Sequence, residues 1–206
     1  MKVKVCGIRN KKNLHFLEST EVDMIGFIFY EKSKRNFEDG ELTPMDLDNC
    51  SKKKVGVFVN EELNKVVETV KKYEMDFVQL HGQESQEYCF NLKEKHISVI
   101  KAFSVYDQLP ENIEAYDGVV DYFLFDTKGK NPGGNGVRFD WSVLSSYKLE
   151  TPFILSGGIG PEDVGELKNL KNEKLAGVDV NSRFELEPAL KDEQLLDAFI
   201  KDFKRN

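Results

Sequence analysis

The 206-residue sequence predicts an α/β protein of one domain, a (β/α)8 TIM barrel with parallel strands spanning residues 1–206, on three observations. Strand-like and helix-like patterns alternate eight times, and alternation of that kind joins parallel strands through right-handed crossovers, eight of which close a barrel. Several strand-like runs are almost uninterrupted apolar stretches, as strands buried on both faces require. Residues capable of chemistry recur where these runs end. An open doubly wound sheet is the alternative. Against it, no Gly-x-Gly-x-x-Gly follows the first strand, and the length, near the lower end for a barrel, leaves no room for a second domain.

Taken in order, Lys2-Val3-Lys4-Val5-Cys6 alternates as a strand and delivers Cys6 to the point where the chain turns at Gly7. Leu14 and Leu17 mark a helix over Lys11 to Thr20, and Val22 to Phe29 is the second strand. The loop after it gathers Lys32, Lys34 and Arg35, a solvated surface or a functional cluster with equal claim. A short helix around Pro44 to Cys50 precedes a strand at Lys54 to Val59, and Asn60, with Glu61 and Glu62 behind it, reads as the N-cap of a helix reaching Tyr73. Asp76 to Gly82, Ser98 to Phe103, Tyr122 to Asp126, Thr151 to Ser156 and Leu175 to Val180 are the remaining strands. Helices are expected at Ser85 to Lys95, Asp107 to Tyr116, from Phe139, from Pro161 to Leu170 and from Asp192 to Phe203. The glycine-rich segment Thr127 to Arg138 is expected to be a long loop.

The formal charge of -7 excludes a general affinity for nucleic acid or anionic membrane, since both need a basic field. An anionic ligand must therefore be held by a local positive cluster. Cys6, Cys50 and Cys89 are odd in number and widely spaced, which suggests neither a disulfide framework nor a metal site and fits a reducing compartment. The opening residues enter a strand at once without the apolar core of a signal peptide, and no apolar run reaches membrane-spanning length, so a cytoplasmic protein is expected.

In a barrel the active site gathers at the C-terminal ends of the strands, which would bring Cys6, Arg35, Gln79, His81, Asp126, Ser156 and Asp179 to one mouth. The loops after strands seven and eight commonly hold phosphate there. Gly157 and Gly158, with Asn181 and Ser182, offer backbone N–H groups and hydroxyls for an oxyanion, although a glycine pair also serves a simple tight turn. Cys6 and Asp126 are a possible base and acid. A free thiol, with an unperturbed pKa of about 8.5, needs only a modest downward shift to ionise near neutrality, whereas a carboxyl needs burial to keep its proton. The competing roles are a small buried hydrophobe for Cys6, a cap or a partner of Lys128 for Asp126, and a structural hydrogen bond for His81.

The ordered set Lys4-Val5-Cys6-Gly7-Ile8, Ser33-Lys34-Arg35, Val55-Gly56-Val57-Phe58, Val78-Gln79-Leu80-His81-Gly82, Asp126-Thr127-Lys128, Phe139-Asp140-Trp141, Leu155-Ser156-Gly157-Gly158 and Val178-Asp179-Val180 resembles the phosphoribosylanthranilate isomerases of tryptophan biosynthesis along nearly the whole chain. The resemblance implies a cofactor-free Amadori rearrangement of N-(5'-phosphoribosyl)anthranilate to 1-(2-carboxyphenylamino)-1-deoxyribulose 5-phosphate, with no cofactor or metal. Cys6 would be the base, Asp126 the acid and Arg35 the ligand of the anthranilate carboxylate, and Gln79 and Asp179 would line the mouth. The thiolate is expected to draw on Arg35, its cationic loop and the substrate's own iminium charge. The partner implied is the small-molecule substrate phosphoribosylanthranilate, with no nucleic acid and no membrane, and the chain is expected to be a monomer with a homodimer as the alternative.

Three departures from the family pattern stand out. Asn181-Ser182-Arg183 replaces two small polar residues and a glycine, Pro188-Ala189 replaces Pro-Gly, and Asn135 replaces a hydroxyl residue. Arg183 is expected to face solvent rather than phosphate. The other readings are a different phosphosugar isomerase or epimerase on the same barrel, and a phosphate-ligand-binding barrel without catalysis.

Overall fold

The computed structural model describes residues 1–127 and 139–205; the expected glycine-rich loop, with Lys128 and Asn135, lies outside the described residues. Eight strands close into one barrel in sequence order: β1 (Lys2–Cys6), β2 (Met24–Ile28), β3 (Lys53–Phe58), β4 (Phe77–Leu80), β5 (Ser98–Val105), β6 (Tyr122–Thr127), β7 (Phe153–Leu155) and β8 (Leu175–Val180). Every neighbouring pair is parallel, and β1 returns to β8 with Lys4 in register with Asp179. The (β/α)8 barrel read from the sequence is the fold.

Strand alternation separates two cores. Outward residues such as Val3, Val5, Ile25, Phe27, Phe123 and Phe125 pack under the helices in one large cluster. The inward set, Met24, Val55, Ile100, Ala102, Leu124 and Ile154, fills the barrel itself. Two residues further along the strands, the inward positions become Cys6, Gln79, Asp126 and, on β8, Asp179. The same period that packs the barrel therefore carries polar groups to its mouth.

The crossovers are less regular than the sequence pattern. Helices α1 (Lys11–Glu18), α2 (Pro44–Asp48), α3 (Leu63–Tyr73), α4 (Gln86–Lys93), α5 (Val164–Asn169) and α6 (Glu193–Lys204) form, and the side chains of Asn10, Ser85 and Asp192 cap α1, α4 and α6. The helix expected over Asp107 to Tyr116 is only a 3-10 turn at Ile113–Tyr116, because Pro110 has no N–H and biases the residue before it away from helix. Phe139 onward likewise gives a 3-10 segment, Trp141–Ser146, with Asp140 accepting from the Ser142 amide.

Asn60 is not an N-cap. It adopts φ +52, where its backbone N donates to Glu84 Oε1 at 2.8 Å and its Oδ1 accepts from the Gln83 amide at 2.6 Å, and α3 starts at Leu63 behind Glu62. Asparagine tolerates this left-handed conformation better than most residues, so it was claimed by the loop after β4 rather than by its own helix.

A short antiparallel pair, β9 (Glu185–Glu187) and β10 (Leu190–Lys191), follows β8 and was not expected from the sequence. Its turn holds Ala189 at φ +69, the position where the family pattern has glycine. Asn10 Nδ2 donates to the Ala189 carbonyl at 2.8 Å, and the Ala189 amide donates to Glu185 Oε1 at 3.1 Å. These bonds hold a conformation that costs an L-residue with a Cβ roughly 1–2 kcal/mol. Ala189→Gly is expected to stabilise the fold by about 1 kcal/mol after the greater chain entropy of glycine is offset; urea denaturation checks it through a higher midpoint at unchanged slope.

Candidate active site

A cavity of about 660 Å³ opens at the C-terminal ends of the strands. All seven residues that the sequence placed at strand exits line it: Cys6, Arg35, Gln79, His81, Asp126, Ser156 and Asp179. Gly157, Gly158, Asn181 and Ser182 border the same space.

Cys6 ends β1 and is 4% exposed. Burial pushes its thiol above the ordinary value; Lys4 is the strongest opposing influence, Asp179 adds to the rise, and Lys191 pulls it down. Burial thus opposes the downward shift that ionisation near neutrality needs, and the cations that favour the thiolate are Lys4 and Lys191. Lys4 lies two residues before Cys6 on the same inward face, 1% exposed, with Nζ 2.9 Å from Asp179 Oδ1. Burial alone would lower its pKa, but Asp179 and Cys6 reverse that and lift Lys4 above the ordinary lysine value.

Asp126 sits near the end of β6. Its Oδ1 accepts from the Thr127 amide at 2.8 Å, and its Oδ2 lies 3.2 Å from His81 Nε2. His81 Nδ1 is in turn 3.3 Å from Gln79 Nε2. With the Gln79 amide donating to Nδ1, the ring proton resides on Nε2 and is given to Asp126. His81 therefore neither floats free nor bonds only to backbone; it holds the carboxyl. Gln79 Oε1 is buried without a partner, an acceptor facing no donor of the described residues.

Arg35 is committed more firmly than the sequence suggested. Its Nε lies 2.9 and 3.0 Å from the two carboxylate oxygens of Glu185, and one Nη also reaches that carboxylate. Glu185 accepts from Lys191 Nζ at 2.8 Å as well. Burial would raise Glu185, but Arg35 and Lys191 hold it below the usual carboxylate range. Lys191, fully buried, also donates to Asn181 Oδ1 at 2.6 Å, so the Asn181 carboxamide belongs to this cluster. Arg183 is exposed, as expected, at the edge of the cavity, where it pairs with the exposed Glu162.

At the exit of β7, Gly157 and Gly158 adopt φ +90 and +70, a left-handed pair that only glycine takes without strain. A Cβ on Gly157 would lie 2.4 Å from the Thr127 amide nitrogen and 2.7 Å from Asp126 Oδ1, so the phosphate-type loop and the acid are packed against each other. Ser182 opens a 3-10 turn, Ser182–Phe184, beside them.

The residues missed by sequence reading are Lys4, Glu185 and Lys191. Lys4 carried a signal, since period-two alternation puts it on the face of Cys6. Glu185 and Lys191 carried none, because they reach Arg35 and Asn181 through a hairpin whose turn holds a left-handed alanine.

A closed parallel barrel whose mouth holds a thiol, a histidine-bound carboxyl and a glycine-built anion loop defines a (β/α)8 enzyme equipped for acid–base chemistry on a small phosphorylated molecule. The family model of N-(5'phosphoribosyl)anthranilate (PRA) isomerase matches residues 3–202. An N-(5'-phosphoribosyl)anthranilate isomerase of Parabacteroides distasonis is 47% identical over 204 residues, covering 98% of this chain and 92% of the relative. The crystal structure of phosphoribosyl anthranilate isomerase from Thermotoga maritima superposes with a TM-score of 0.81 at 33% identity, covering 99% of this chain and 98% of that one. A structure of such an isomerase in complex with reduced 1-(o-carboxyphenylamino)-1-deoxyribulose 5-phosphate gives 0.78, also at 33% identity over 99% and 98% of the two chains. The chain belongs to the phosphoribosylanthranilate isomerase family.

Because Gly157 joins strain-sensitive backbone to the acid, Gly157→Ala is expected to destabilise the fold by roughly 1–3 kcal/mol and to displace Asp126. A lowered urea midpoint together with a lowered turnover number checks this; loss of stability at full turnover would contradict the packing described.

Proposed function

We propose that this chain converts N-(5'-phosphoribosyl)anthranilate to 1-(2-carboxyphenylamino)-1-deoxyribulose 5-phosphate, the isomerisation carried out in tryptophan biosynthesis, with Cys6 as base and Asp126 as acid. The observation that carries the assignment of roles is the meeting of Cys6 and Asp126, from non-adjacent strands, in one cavity rimmed by the Gly157-Gly158 loop and Arg35. Family membership supports the reaction.

The chemistry follows from these groups. Asp126 gives a proton to the furanose ring oxygen as the C1'–O bond breaks, and the anilino nitrogen lone pair forms the C1'=N bond of an iminium ion. That cation acidifies the C2' hydrogen, which Cys6 takes as thiolate, leaving an enolamine. Return of a proton to C1' and loss of the C2' hydroxyl proton to Asp126 give the aminoketone and restore both groups. The iminium nitrogen is the electron sink, so the reaction written this way calls on no cofactor. His81 orients Asp126 through the 3.2 Å contact, and the unpartnered Gln79 Oε1 and the Asp179 carboxylate serve as acceptors for substrate hydroxyls. Gly157, Gly158, Asn181 and Ser182 receive the phosphate.

Arg35 receives the anthranilate carboxylate. Glu185 occupies one edge of its guanidinium and fixes its plane, and the other edge retains N–H donors for a second carboxylate. The three unpaired cysteines support a cytoplasmic setting, and among the described residues no helix is long and apolar enough to cross a membrane.

Cys6→Ala and Asp126→Asn are each expected to lower turnover by at least about 10²–10⁴-fold, the usual worth of a positioned acid or base, with the fold retained. Loss of the substrate's anthranilate fluorescence measures it, and near-normal turnover in either variant would remove that residue from the mechanism. Arg35→Met is expected to raise KM for the substrate while leaving the affinity for inorganic phosphate in place; an equal loss of both would reassign Arg35 to the phosphate.

A further inference from the structure

The roles proposed above leave one buried group at the site unused. Lys4 is almost fully enclosed within the barrel, where an ammonium is costly and is kept only with partners. One partner is evident: Asp179, in register with it across the β1–β8 seam and 2.9 Å away. The other is the Cys6 thiol. A Cβ built on Gly26 of β2, a residue in register with Cys6, would stand 2.7 Å from Cys6 Sγ and 3.1 Å from Lys4 Nζ. The amine and the thiol thus both crowd the position that a side chain on Gly26 would take.

We infer that Lys4 is the positioning residue that makes Cys6 a base, its ammonium, fixed by Asp179 and given room by Gly26, supplying the charge against which the thiolate forms. The inference rests on the reading of Cys6 as the base. A neutral side chain of the same length would fill the space equally well, and a thiol serving only as a core hydrophobe would need no cation beside it. Arg35, the cation that the sequence reading named for this role, is held by Glu185 instead.

The other titratable groups around Cys6 do not replace Lys4. Asp179 on β8 opposes ionisation of the thiol, and Asp126 on β6 carries His81 of the loop after β4. Lys191 on β10 favours the thiolate but shares its charge with Glu185, which also binds Arg35.

The test is the pH dependence of Cys6 alkylation by iodoacetamide in the ligand-free enzyme, followed by peptide mass analysis so that Cys50 and Cys89 are scored separately. In Lys4→Met, Cys6 alkylation is expected to be at least about tenfold slower at a given pH, because an opposite charge at this range moves a pKa by about 1–3 units. The acid limb of turnover should move to higher pH in step, so that raising the pH restores part of the lost activity, which a merely structural defect would not allow. An unchanged Cys6 profile in folded Lys4→Met overturns the inference. Should that variant not fold, the reciprocal measurement uses the ¹³Cε resonance of Lys4 in the wild-type chain and in Cys6→Ala. Lys4 is expected to release its proton at lower pH when the sulfur is absent, and identical titrations overturn the inference. Normal turnover by Cys6→Ala would instead overturn the reading of the base, and is scored apart from either titration.

Discussion

The barrel closes where its first strand meets its last, and at that seam Lys4 and Asp179 form a buried ion pair of 2.9 Å. Two charges taken out of water there cost several kcal/mol each before their attraction returns any of it, and a hydrophobic pair would close a barrel at least as well. Such a pair is poor evidence for stability and good evidence for a site. Its position explains the choice: Cys6 follows Lys4 by two residues on the same face, and Asp179 is exposed to the cavity that Cys6 and Asp126 share. The seam that completes the fold is also the floor of the active site.

A second cluster, on the rim, performs a related service. Glu185 accepts from both Arg35 and Lys191, and Lys191 reaches Asn181, so the loop after β2, the loop after β8 and the β9–β10 hairpin are bound through one carboxylate. The guanidinium is thereby held in a fixed plane before any ligand arrives, and less rotamer entropy is lost when one binds. The left-handed Ala189 belongs to this cluster, because its amide bonds Glu185 and its carbonyl bonds Asn10. Strain in the hairpin and order in the rim have the same origin.

The acid is assembled by comparable means from loops that are distant in sequence. Gln79 at the end of β4 contacts His81 two residues on, and His81 contacts Asp126 on β6, while Gly157 after β7 packs against the same carboxyl. Three strand exits thus converge on one oxygen pair. Among the described residues each of them lies at or next to a strand end, which suits the role proposed for Asp126.

What the sequence by itself determined is what short-range periodicity controls. Two-residue alternation sent Cys6, Asp126 and Asp179 inward, eight alternating units closed the barrel, and parallel strands put every exit at one mouth, so both the fold and the residues of the cavity were legible. Tertiary structure decided what depends on partners far along the chain. It withdrew Asn60 from its helix to serve Gln83 and Glu84, tied Arg35 to a glutamate 150 positions away, and left Asp107 to Tyr116 with a single 3-10 turn behind Pro110. It also decided which cation stands beside Cys6. Lys4 lies two residues from the thiol in the sequence, but only the closed barrel sets Asp179 against it and removes the water that would otherwise screen one from the other.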